Sequence, residues 1–415
     1  MCDVVVVGAG PAGIAAAHAL QRAGMTVQVV EARERPGGRV QTALVAGQQI
    51  DLGAHWFELP EARAARRALA TLTDGRRRAP GEVRLHGQDS RSARNSFWRH
   101  WNGIEARLAD ARPGVSDTSL AAIVSAYWAG RDEPWRDTLE FHLALECGAP
   151  LGQVSARDYE NHEDTEYYFI EGGYGALLAA RAAGLNIAYG APVVRIAETG
   201  AGMVVETAQA GFEARQVVVA VPAMVLAAGA IRFEPALPAI VQAALAGFHP
   251  ARYERALIHW PRSPLHEDGA DSLHIFYGNR MANAEILACV DGGDLHYVEI
   301  GGNLAARWQA APDPVAWRRD FAAAFLRERF GPAAAAAEIV HVTDWSGDPF
   351  ARGSWAVCPP GAQGARQILN DFAHPRLQFA GEATSTGYWG TATGAWLEGE
   401  RVAAALVAAR QIAGA

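Results

Sequence analysis

The chain has 415 residues, half of them hydrophobic, and a formal net charge of −8. That length allows two domains with cores of their own, and the acidic balance argues against a nucleic-acid partner and mildly favours a cationic one. Cys2, Cys147, Cys289 and Cys358 stand far apart with no C-x-x-C, so neither a disulfide framework nor a metal site is expected. No apolar run is long enough to predict a membrane span.

Residues 4–13 read Val-Val-Val-Val-Gly-Ala-Gly-Pro-Ala-Gly, a β-branched run that breaks into glycines. An alanine-rich stretch (14–23) and a second apolar strand (26–30) ending on Glu31 follow. This is a βαβ dinucleotide fingerprint in its proper setting. Gly8 permits the strand-to-helix turn, Gly10 lets backbone approach a pyrophosphate across Pro11 and Ala12, and Gly13 lets the helix pack on the sheet. The helix N-terminus would face phosphate charge, and Glu31 stands where a carboxylate accepts ribose hydroxyls. Next come Ala32, Arg33 and the turn Gly37-Gly38-Arg39, a second clamp suited to a large dinucleotide held lengthwise. With the first strand opening at residue 3, no secretory leader is expected, and the predicted setting is cytoplasmic.

The organisation reads as interleaved. Residues 1–70 are expected to open the cofactor domain, and the arginine-rich stretch 71–95 to be an exposed connection. Residues 71–180 would include a tryptophan-rich helical cap, and 181–247 would return to the cofactor domain through short strands. Residues 248–342 alternate polar and apolar residues, predicting an antiparallel substrate-domain sheet followed by a helix over 313–330; 343–415 would close the cofactor domain. The fold class is α/β, with an α+β substrate domain.

The segment from Glu31 to Arg39 resembles the FAD-binding signature of the flavin-containing amine oxidases, a family that includes monoamine and polyamine oxidases. Motifs of that family recur in order down the chain. Residues 171–177 resemble its glycine-rich turn into a helix, and residues 192–196 resemble the strand whose Val193 would meet the adenine. Residues 217–222 resemble the strand-to-proline turn leading back to the substrate domain. Phe379-Ala-Gly381-Glu382-Ala-Thr, followed by Gly390-Thr391-Ala392-Thr-Gly-Ala, resembles the C-terminal flavin signature. The resemblance implies a Rossmann-like FAD domain of the glutathione-reductase type. It also places the helix starting near Thr391 with its positive end toward the flavin pyrimidine, where charge gathers on reduction.

The same resemblance assigns a pocket. Gly53, Ala54, His55 and Trp56 would lie beside the flavin, with Glu58 as a substrate-facing carboxylate and Trp345 against the ring system. Ser354 stands where monoamine oxidases carry the cysteine that bonds the flavin, which implies noncovalent FAD. Trp355 would form one wall of the aromatic cage, and Thr391 replaces the tyrosine of the other, so Tyr388 or Trp389 would have to lean in. The family lysine near flavin N5 falls on Arg255, in a chain whose 37 basic residues are all arginine. Arginine keeps its proton and cannot act as a base, though it can anchor a water or a carboxylate.

The implied activity is oxidation of a small di-, poly- or monoamine at the carbon next to nitrogen, with O2 as acceptor, in a monomer or homodimer. Two alternatives remain open: a dehydrogenase or amino-acid oxidase with an arginine-held carboxylate, and a flavoprotein that binds without turnover.

Overall fold

The computed structural model describes residues 1–87, 91–109 and 117–414. Among the described residues two sheets dominate, one of eight strands and one of six. Three distant stretches of chain build the larger. Its order is Arg232–Glu234, Val193–Glu198, Met203–Thr207, Gly211–Val219, Cys2–Val7, Val27–Val30 and Ile187–Ala188, with Leu377–Phe379 paired to Gly211–Val219. Val4 to Val7 run parallel to both neighbours and are buried on both faces. That double burial explains why this strand is a continuous valine run and not an alternating one.

Helices Pro11–Arg22 and Ala392–Gly414 cover one face of this sheet. Their closeness is a matter of glycine. A Cβ on Gly13 would collide with the Gly8 carbonyl, and one on Gly399 with the carbonyl of Ala12. The two helices therefore start side by side, both at the C-terminal edge of the parallel strands, where such sheets bind ligands.

The six-stranded sheet runs Glu338–Val342, Tyr253–His259, Leu295–Gly301, Glu285–Ala288, Ser272–Phe276 and Val83–His86, antiparallel except for the last pair. Helix Pro314–Phe330 packs on one face through Ala322, Phe325 and Leu326. The other face, with Leu257, Leu287 and Tyr297, turns toward Ile50 and Phe169. Helices Arg91–Ala109, Leu120–Trp128 and Arg136–Cys147 form the tryptophan-rich layer beside it.

Two expectations need correction. The arginine-rich stretch 71–95 is not a free connection. Arg77–Arg78 pairs with strand Thr165–Ile170, and Val83–His86 joins the six-stranded sheet. Part of its charge is held by neighbours: Arg78 Nε donates to Asp271 at 2.7 Å, and Arg77 lies over the Tyr168 ring. Nor does the proline turn at Pro222 lead out of the larger sheet. A short helix, Ala223–Ala227, returns the chain to strand Arg232–Glu234 beside Val193–Glu198.

One buried ion pair joins segments far apart in sequence. Arg366 is 1% exposed and donates to both carboxylate oxygens of Asp158, at 2.8 and 2.9 Å, and to the Ala356 carbonyl. Its guanidinium lies 4.8 Å from the ring of Trp389, whose indole donates to the Asp158 carbonyl. Arg366→Met leaves a buried carboxylate without its counter-charge. The expected loss is about 3–5 kcal/mol in urea unfolding, partly recovered by adding Asp158→Asn; wild-type stability in the single variant would refute the account.

Candidate active site

A cavity of about 1590 Å³ opens between the two sheets. Single small-ligand sites hold roughly 300–1,000 Å³, so this one has room for a long cofactor and a second molecule. Both helix starts, at Gly10–Ala12 and Thr391–Ala392, face it. The first helix has no side chain capping its start, so its free N–H groups are left for a ligand.

At this end the chain comes close to empty space without side chains. Gly8 holds φ +102° with its Cβ direction blocked by the Ala220 carbonyl, and a Cβ on Gly10 would meet nothing within 4 Å. Glu31 is buried and accepts from the Ala9 and Arg33 amides at 2.7 and 2.8 Å, which fixes its carboxylate on the cavity wall beside Ala32. Arg33 pairs with Asp348 at 2.7 Å, and Arg39 donates to Glu382 and to the Ser354 carbonyl. Gly38, Val193 and Gly381 complete this wall. Gly13 and Gly37 do not line it. They support it from behind, Gly13 against Gly8 and Gly37 against the Val40 carbonyl.

The other end is aromatic and acidic. A Cβ on Gly53 would collide with the Arg39 carbonyl and stand 3.1 Å from the Trp345 ring, and the Trp345 indole donates to the Leu52 carbonyl. Ala54, His55, Trp56, Trp355 and Thr391 share this part of the wall. Trp355 packs against Gly390 and lies 5.6 Å from the Tyr253 ring. Trp389 also lines the cavity; Tyr388 does not, and its hydroxyl donates to Glu163, which does.

Arg255 is the buried charge of this region. It donates to the Gly53 carbonyl and to His55 Nδ1, approaches Glu299 at 3.5 Å, and lies over the Tyr297 ring at 4.7 Å. Burial works against the guanidinium charge; Tyr253 and Glu299 more than offset it, and the pKa lies above the ordinary arginine value. Because His55 Nδ1 accepts, the neutral ring carries its proton on Nε2. Burial, then the Arg255 charge, holds the His55 pKa well below its usual range.

Glu58 differs from a simple carboxylate. Its Oε2 is buried without a hydrogen-bond partner, and burial pushes its pKa up to about 8. The nearby Thr391 hydroxyl already donates to the Tyr388 carbonyl and accepts from the Gly394 amide, both at 2.8 Å. A hydrogen bond with Thr391 works the other way, favouring the ionised carboxylate, but burial outweighs it.

The sequence reading missed Tyr253, Glu299, Glu285, His142 and Glu146, all on the cavity wall. A signal for one of them existed: Tyr253 lies two residues from Arg255, so strand alternation puts both on one face. The others depend on strand register and helix packing.

The match to known proteins decides the family. Residues 11–407 fit the model of the flavin containing amine oxidoreductases. The chain belongs to that family. The family is one of flavin-containing oxidoreductases that act on amines. It is 28% identical to lysine-specific histone demethylase 1 homolog 2 of Oryza sativa subsp. japonica, over 99% of this chain and 57% of that protein. It is 25% identical to probable polyamine oxidase 4 of Arabidopsis thaliana, over 96% of this chain and 85% of that one. The chain spans about half the length of the histone demethylases it matches. Among solved structures, cyclohexylamine oxidase from Brevibacterium oxydans superposes with TM-score 0.81 at 24% identity, over 99% of both chains. Putrescine oxidase bound to putrescine gives 0.79 at 21%, over 98% and 99%. These two likenesses show the fold.

FAD fits the residues of this amine oxidoreductase. The uncapped helix start and the open Gly10 suit a pyrophosphate, Glu31 a ribose, and the second helix start at Thr391 an electron-rich ring edge. Sequence spacing suggested no metal site, yet the fold brings ligand atoms of His266, Cys289 and His296 within 4.8 Å of one another. His296 Nδ1 accepts from the Cys289 amide, which leaves the proton on Nε2, the reverse of a metal-ligating ring. Among the described residues no helix is long and apolar enough to cross a membrane.

The raised Glu58 pKa has a sign. Glu58 holds its proton more tightly folded than unfolded, so its contribution to stability is complete below pH 4.5 and is lost as pH rises through about 8. Glu58→Gln removes that step. Unfolding midpoints measured from pH 5 to 9 should fall less steeply in the variant; parallel curves would show that Glu58 titrates normally.

Proposed function

We propose that this chain is an FAD-dependent oxidase of small di- or polyamines, attacking the carbon next to a nitrogen, with imine hydrolysis and O2 reduction to H2O2 completing turnover. Bound FAD supplies the hydride acceptor. The observation that carries the reading is the division of charge along the cavity. Arg33, Arg39 and Arg352 stand at the phosphate end, whereas Glu58, Glu105, Glu146, Glu285 and Glu299 line the other, with Arg255 among them. Such a wall draws in a cation.

Within it, Trp355, Tyr253 and Trp389 supply aromatic surface that excludes water and holds the substrate's carbon chain. The amine must lose its ammonium proton before oxidation. Arg255 cannot take that proton, and His55 has its accepting nitrogen occupied by Arg255. Desolvation among the aromatic rings, which lowers an amine's pKa, is the remaining aid.

The use of Arg255 also weighs against a carboxylate substrate. It already donates to Gly53 and His55, and Glu299 stands 3.5 Å from its Nε as counter-charge, so a substrate carboxylate would compete with an acid that is already there. The match over 85% of a probable polyamine oxidase, against about half of the histone demethylases, favours a free amine over a protein-borne one. FAD is held without a covalent bond, since the Ser354 hydroxyl at the attachment position donates to the Tyr253 carbonyl at 2.7 Å.

Two measurements test this. Acid precipitation should release all of the flavin into the supernatant; flavin left in the pellet would contradict noncovalent binding. In an anaerobic titration against polyamines, monoamines and amino acids, polyamines should bleach the flavin and air should restore its colour. Bleaching by amino acids alone would overturn the amine reading, and bleaching without recovery in air would overturn O2 as acceptor.

A further inference from the structure

Strand Tyr253–His259 has two faces, and only one belongs to the cavity. Tyr253 and Arg255 line the cavity, whereas Glu254 between them does not. Alternation turns Glu254 to the side of helix Pro314–Phe330, where it is 0% exposed. A carboxylate so deeply buried needs partners, and it finds them in one short segment.

Glu254 Oε2 accepts from the Thr343 hydroxyl at 2.7 Å and from the Trp345 amide at 3.0 Å, and Oε1 accepts from the Ser346 amide at 2.8 Å. A carboxylate only accepts, and these three neighbours all donate. Thr343 closes the clamp from the strand side. Its hydroxyl accepts from the Arg255 amide at 2.8 Å, and its own amide donates to the Arg255 carbonyl at 2.9 Å. Residues 345–347 form a turn, with no strand ladder or helix to fix it. Among the described residues no backbone carbonyl accepts from the Trp345 or Ser346 amide. The Glu254 side chain therefore does for this turn what a ladder does for a strand.

What the clamp holds is the wall along the cofactor. Each polar group of Trp345 is fixed: its amide by Glu254, its carbonyl by the Gly353 amide at 2.9 Å, its indole by the Leu52 carbonyl at 3.0 Å. Three residues on, Asp348 pairs with Arg33, and the Ser354 carbonyl accepts from Arg39. Segment 343–355 thus follows the cavity from the Arg33 end to the aromatic end, and its first anchor is a carboxylate outside the cavity. Arg318, 0% exposed on helix Pro314–Phe330, adds a second tie, to the Thr343 carbonyl at 3.0 Å and to Asp344 at 2.7 Å. Side chains that face a ligand keep their place through hydrogen bonds of this kind behind them.

We propose that Glu254 is a positioning residue for the cofactor, acting through Trp345 to set where the indole stands against bound FAD. The inference goes beyond the amine-oxidation reading and rests only on FAD occupying the cavity beside Trp345.

Glu254→Gln keeps the size of the side chain but turns an amide NH2 toward donors, so at least one of the three loses its acceptor. Holoenzyme diluted and followed by the fluorescence of released FAD should show the cofactor held about tenfold more weakly in E254Q, the worth of one hydrogen bond to a charged group. At saturating FAD, the visible flavin spectrum of E254Q should shift in the same direction as that of Trp345→Phe. In the W345F background, E254Q should change FAD affinity less than about twofold, because the contact it acts through is already gone. A lower melting temperature with wild-type FAD affinity and spectrum would make Glu254 a residue of the fold alone and overturn the proposal. An equal loss of affinity in both backgrounds would overturn it too. Glu254→Asp keeps the charge but is one methylene too short to reach all three donors; should E254Q not fold, E254D decides by the same readings. None of these readings needs an amine, so failure of the oxidation reading would leave them intact.

Discussion

The cavity is organised around a permanent charge that is almost wholly buried in its wall. Arg255 is buried beside Gly53, His55, Glu299 and the face of Tyr297, and an arginine cannot shed its proton to relieve that burial. Its surroundings follow from this demand. Glu299 supplies the counter-charge from the opposing strand, the Gly53 carbonyl accepts from the guanidinium, and His55 stays neutral with its accepting nitrogen turned to it. The same contacts tie the six-stranded sheet to the segment next to the cofactor.

From that fixed point the cavity divides by electrostatics. The first helix start and three arginines make one end suited to phosphates, and the second helix start, beside the aromatic residues, suits an electron-rich ring edge. The other end gathers acids that the protein only partly compensates, with pKa values raised by burial at Glu58, Glu146, Glu105 and Glu299. Carboxyls held in that state gain most from an arriving cation, because it offsets the cost of ionising them in a desolvated wall. On the proposed reading, substrate preference comes from unfinished charge compensation, and the aromatic residues contribute shape and dryness.

Glycine and alanine provide the mechanical counterpart. Gly13 against Gly8, and Gly399 against Ala12, bring two helices and a strand so close that both helix starts reach one cavity. A side chain at either position would push those starts away from the ligand they face.

Much of this was legible in the chain itself. The βαβ glycines, Glu31, and the Gly381–Ala395 segment carry their meaning locally, since a turn, a helix start and a close backbone approach each depend on a few consecutive residues. Strands such as Tyr253–His259 and Leu295–Gly301 were readable from alternation. The paired state of Arg78, the raised pKa of Glu58 and the acid row from Glu299 to Glu146 were not. Partners such as Asp271 for Arg78, Thr391 for Glu58 and Glu285 for His142 lie more than a hundred residues away. Sequence by itself determined the cofactor cradle and the elements that build it, because those are set by local backbone geometry. Tertiary structure alone decided which charges are compensated and which are left for a substrate, because strand register and desolvation exist only once distant segments meet.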